Sequence, residues 1–246
     1  MAWFNALVTL QNATTPEDFD SAIGNLESIV DPAKQVRERK FDFSKDYVVL
    51  AQLGSALFRR SQLEGDNPTA EREFLSKSAE RFTQALALDT EDLDSHYGLK
   101  QVYERLSIRV DLPPMSAGEV SVERLKELAK AATSGSANAK DEAAALSQAL
   151  TAYGRVALNP QKPRLPVLRE MLPGLRSAFV AAHGDRGLQD ALAASLATLH
   201  RELHLIFKPD DIARAKTTRE YRAKNPAANA AAEAIVIYPT DREGRK

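Results

Sequence analysis

The chain has 246 residues, 43% hydrophobic and 27% charged, with a formal net charge of −1 and no cysteine. The lack of thiols excludes disulfides, thiolate zinc sites, thiol catalysis and covalently attached c-type haem within this chain. The near-zero charge carries no electrostatic mark of a nucleic-acid binder, and no stretch approaches the roughly 18 uninterrupted apolar residues of a membrane span.

Leu and Ala are abundant and β-branched residues sparse, so the expected fold class is all-α. A first hairpin pairs a helix near 2–12 with one near 16–30. Thr15, Pro16 and Glu17 form its second start: a capping hydroxyl, a proline at the first helical position, then an acid near the positive end of the dipole. Phe19, Ala22, Ile23, Leu26, Ile29 and Val30 follow at helical spacing. The N-terminus, MAWFNALVTLQ, lacks a basic leader and cleavage site and reads as the interior of a helix, as if the chain began inside a longer polypeptide. Residues 31–45 are charged, contain Pro32 and are expected to form a connector or short helix.

A second hairpin pairs a helix near 46–63, with Val49, Leu50, Leu53, Gly54 and Leu57, with one near 69–88. A turn at Gly65, Asn67 and Pro68 joins them. A further helix opens at Leu93, with Tyr97, Leu99, Val102 and Tyr103 apolar, and stops before Pro113 and Pro114. Val122–Thr133 is a short helix and 139–158 a long Ala/Leu-rich one. Next come a helix near 165–183, expected to break or kink at Pro173-Gly174, and another near 186–206. Helices are expected at 210–223 and 226–233, ahead of an extended run, Ile235-Val236-Ile237-Tyr238, expected to dock and not hang free. Charge is uneven: residues 1–31 hold acids and no Lys or Arg, whereas 208–224 are rich in both.

Phe82 sits at an aromatic position followed by small Ala85, with Thr90 at the next turn. His96, Leu99 and Tyr103 then take bulky, Leu and Tyr positions, with Lys100 where glycine is usual. Leu50, Leu53, Gly54 and Leu57 make a matching set, as do Trp3, Ala22, Leu26 and Ile29. This pattern resembles the tetratricopeptide repeat over residues 2–107, and 120–206 only as generic helical pairing. The second helix of the second pair starts about 12 residues late for the family, and the prolines at 113–114 interrupt the third pair.

The resemblance implies an α-α superhelix of antiparallel helix pairs at 1–107, a Pro-rich interruption at 108–121, further pairs at 122–206 and a tail at 207–246. It implies a non-catalytic protein-interaction or assembly scaffold without a cofactor. The partner would be another protein or another domain of the same polypeptide. The tail is also similar to C-terminal regions of bacterial polypeptides that join multihaem c-type cytochrome domains to such repeats. That likeness implies, as an alternative, an accessory domain in electron transfer, periplasmic or extracellular; a cytoplasmic protein fits the residues as well.

Positions next to the packing stripe on the first helix of each pair make the candidate protein-binding surface: Asn5, then Gln52 and Ser55, then Ser95, Gly98 and Gln101. For metal binding the one candidate pair is His200 and His204, one turn apart on a helix, in the order HRELH and not HExxH. His96 is expected to be structural. No phosphate loop, nucleophile elbow or dinucleotide fingerprint occurs.

Overall fold

Side-chain caps set where most of the helices begin. Thr15 accepts from the Asp18 amide while Asp18 accepts from the Thr15 amide, a reciprocal capping box. The side chains of Asp46, Asn67, Asp92 and Ser121 accept from first-turn amides of later helices. In the computed structural model, which describes residues 2–35, 42–107, 120–156 and 164–208, these caps open five of the nine α-helices described, and no strand occurs among the described residues. The helices are α1 (Ala2–Asn12), α2 (Pro16–Val30), α3 (Tyr47–Ser61), α4 (Pro68–Leu88), α5 (Leu93–Leu106), α6 (Val122–Ala132), α7 (Ala139–Val156), α8 (Arg164–Ala181) and α9 (Arg186–Phe207). The connector after α2 contains single 3-10 turns at Pro32–Lys34 and Phe43–Lys45.

Helices α1 to α5 pack in chain order, each against the next. Arg60 ties three of them: its guanidinium meets Asp20 of α2 at 2.9 Å and lies 4.6 Å from the Phe74 ring of α4. Helix α5 breaks the sequential order, for it packs on α9 and not on α6. Helix α9 in turn packs on α7 and α8, with α6 against α7 and α8. Residues 1–207 thus form one unit across the interruption at 108–121, and 208–246 a second.

The composition of α9 explains its central place. Ala191, Leu192, Ala193, Ser195, Leu196, Ala197, Leu199 and Leu203 are all buried, so apolar residues surround most of its circumference. A helix with that distribution stays stable only when covered on several sides. Small residues and hydroxyls allow close approach: Ser195 Oγ donates to the Ala143 carbonyl of α7 at 2.7 Å. At its start, Asp190 accepts from Arg72 of α4 at 2.9 Å.

Two expectations change. Helix α8 runs unbroken through Pro173. Pro173 and Gly174 lie on its exposed side, where water takes over the lost amide bond, while Leu168, Met171, Leu175 and Phe179 hold the opposite face in the core. In α5 the position that must be small is Gly98, not Lys100, which instead pairs with Glu104 at 3.0 Å. The expected helices at 210–223 and 226–233, the run 235–238, the basic stretch beyond Lys208 and residues 108–119 lie outside the described residues.

Candidate functional site

The ring of Phe82, on α4, is wedged between α3 and α5. A Cβ added to Gly54 would lie 3.0 Å from its Cγ, and one added to Gly98 would lie 2.2 Å from its Cζ. Only glycine lets both helices close on the ring. Ser78, one turn earlier on α4, donates to the Gly54 carbonyl at 2.7 Å. Phe82 thereby becomes the floor of a groove of about 380 Å³ between the exposed faces of α3 and α5.

One wall comes from α3: Val48, Ala51, Gln52, Ser55 and Phe58. The other comes from α5 and its cap: Asp92, Asp94, Tyr97, Gly98 and Gln101. Val48 and Tyr97 are exposed apolar surfaces at its rim. The indole of Trp3 reaches from α1 and donates to Gln52 Oε1 at 2.7 Å, which fixes the amide and leaves its nitrogen as a donor. Asp92 caps α5 through the Ser95 amide at 2.9 Å. Two carboxylates and two amides therefore line the groove, and no Lys, Arg or His does.

Of the residues singled out from sequence, Gln52, Ser55, Gly98 and Gln101 meet in this groove. Asn5 is exposed on α1 but does not line it. Ser95 is fully buried in the packed face of α5 and does not line the groove.

His200 and His204 do not form a joint ligand set. His204 Nδ1 lies 3.3 Å from the Leu93 carbonyl, with its ring 5.4 Å from that of Tyr97. His200 is wholly buried, with its Nδ1 3.0 Å from Nδ1 of His96 on α5. No group of three His, Cys, Asp or Glu is arranged to hold a metal ion among the described residues. The Tyr103 ring stacks on His200 at 5.8 Å and 15°, and Phe207 stacks on His96 at 5.4 Å. Burial lowers the pKa of both histidines, that of His200 well below the usual value, with its His96 and Arg176 neighbours adding to the effect. Sequence reading missed this pair. Its members are 104 positions apart, and no motif links the repeat position of His96 to the HRELH stretch of His200.

No family known from other proteins matches the chain, and neither does any curated protein or solved structure.

Proposed function

We propose that the chain is a non-catalytic protein-binding module, a tetratricopeptide-like array whose groove between α3 and α5 holds an extended segment of another polypeptide bearing a lysine or arginine. The groove itself carries the reading. Its volume of about 380 Å³ lies in the range of side-chain and ligand pockets. It is too small for a folded domain. The amides of Gln52 and Gln101 offer donors and acceptors to a peptide backbone. Val48 and Tyr97 offer apolar contact at the rim. Asp92 and Asp94, unopposed by any lining cation, favour a positive side chain over a negative one.

The test is selection of random decapeptides displayed on phage against the full chain, followed by titration of the selected sequences as synthetic peptides. Selected peptides should carry Lys or Arg. Asp94→Lys should weaken them at least about tenfold, and Ser55→Trp, which fills the groove, should abolish binding. Failure to enrich any sequence, or equal affinity for the wild type and Ser55→Trp, would refute the assignment of this groove.

A further inference from the structure

We infer that the contact between His96 and His200 is an acid-sensitive latch holding α5 to α9. The proposal is independent of what the groove binds, although the same helix α5 forms one groove wall.

Hydrogen-bond logic assigns the protons. The Thr90 carbonyl can only accept, and it lies 3.1 Å from Nε2 of His96; that nitrogen therefore carries hydrogen. Nδ1 of neutral His96 is then an acceptor, and Nδ1 of His200, 3.0 Å away, must be the donor. Nε2 of His200 is left bare, buried and without a hydrogen-bond partner. A bare acceptor in an apolar interior costs less than an unpaired charged donor. The arrangement is thus complete only when both rings are neutral.

Protonation has no comfortable place to go. A proton on Nε2 of His200 would create a buried, unpaired cationic N–H. A proton on Nδ1 of His96 would face the N–H of His200, unless His200 moved its hydrogen to Nε2, which would leave a buried, unpaired neutral N–H there and a buried imidazolium at His96. A second proton would set two N–H groups against each other. The surroundings do not offset this. The charged and titratable groups acting on the pair are His204 on α9, Arg169 and Arg176 on α8, and Asp92 at the start of α5. Tyr103 of α5, stacked on His200, is held neutral by its own burial. Only the Thr90 carbonyl and, after it, Asp92 favour an imidazolium; both act on His96, where burial outweighs them.

The sign follows. Both histidines have folded-state values below that of the unfolded chain, near 6.5. Their contribution is complete above that pH and is lost as pH falls, because the opened state takes up protons that the closed state refuses. For His200 alone the ratio of opened to closed chain should rise by up to about 30-fold between pH 7.5 and 5.0, the limit reached when the closed state takes up no proton in that range, since each pH unit below 6.5 is then worth about tenfold. Helices α1 to α3 do not contain the pair.

The test uses the full chain. Ring titration of its four histidines by NMR should show two that stay neutral until the protein opens. Hydrogen exchange at pH 7.5 and 5.0, corrected for intrinsic rates, should lose protection first over 93–106 and 186–207, before 16–30 and 47–61. His200→Phe, which keeps a ring on Tyr103, should reduce the acid effect to less than about threefold. If all four histidines titrate near 6.5 with α5 and α9 still protected, or if His200→Phe shows the full acid loss, the latch does not exist. Should that variant fail to fold, the wild-type titration and exchange pattern decide alone.

Discussion

Replacing Gly98 by alanine isolates the wedge that builds the groove floor. In an ordinary helix interior this change stabilises by about 1 kcal/mol, because alanine has less backbone freedom to lose. Here the new Cβ would stand 2.2 Å from Cζ of Phe82, where carbon atoms normally keep about 3.5–4.0 Å apart. The ring must retreat by more than an ångström, and the way back is closed by Gly54, whose own Cβ position lies 3.0 Å from the same ring. Overpacking costs about 1–3 kcal/mol, and a displacement this large, at a Cβ position 2.2 Å from the ring, belongs to the upper part of that range, about 2–3 kcal/mol. The net change should be destabilising by about 1–2 kcal/mol, a fall in Tm of about 2–8 °C at this chain size. Urea denaturation followed by circular dichroism at 222 nm measures it. Gly24→Ala is the control, for nothing lies within 4 Å of a Cβ there, and it should stabilise. In a Phe82→Leu background the cost of Gly98→Ala should shrink or reverse. A Gly98→Ala protein as stable as the wild type would refute the wedge, and with it the account of why α3 and α5 approach so closely.

Two further outcomes concern the caps and the joint to α9. Thr15→Ala removes one half of the capping box on α2 and should cost about 1 kcal/mol in the same urea assay, whereas Thr15→Ser should cost little. Arg72→Met removes the 2.9 Å partner of Asp190, a residue only 3% exposed. The carboxylate, left with only the long 3.9 Å pair to Arg186, should destabilise by about 3 kcal/mol, and Arg72→Met with Asp190→Leu should recover most of the loss, because two apolar groups leave no buried charge; a double variant no better than the single one would argue against that cause.

What the sequence made legible is local. Thr15, Pro16 and Glu17 mark the start of α2 because capping chemistry needs only neighbours in the chain. The stripe of Leu50, Leu53 and Leu57 shows the buried face of α3 because helical spacing alone defines it. Gln52, Ser55, Gly98 and Gln101 converge on one groove for a related reason: they lie one step off that stripe on helices that share a side. Ser95 does not, and its case shows the limit. Periodicity reports how wide a buried face is, and α5 has a wide one, from Ser95, His96 and Gly98 to Leu106. It does not report what covers it. α4 and α9 both cover it, and nothing near His96 in the chain announces that its partner is His200, on a helix that begins at Arg186. Pro173 shows the opposite error: a local breaker signal was outweighed by a buried stripe, Leu168, Met171, Leu175 and Phe179, that continues past it.

The same long-range closure decides how the groove is held. Its α3 wall is supported by neighbours close in sequence, α2 and α4. Its α5 wall rests on α4 at one side and on α9 at the other, through His96, Tyr103 and their contacts with His200. Loop-closure entropy must be met before the α5–α9 contacts form, so this wall is set only when residues 186–207 have docked. Arg72, His96 and Tyr103 each bind the first half of the chain to α9. Of these three links only the histidine contact joins groups that, once opened, take up protons between pH 5 and 8. Mild acid therefore acts on the late, long-range side of the groove and leaves its local side intact.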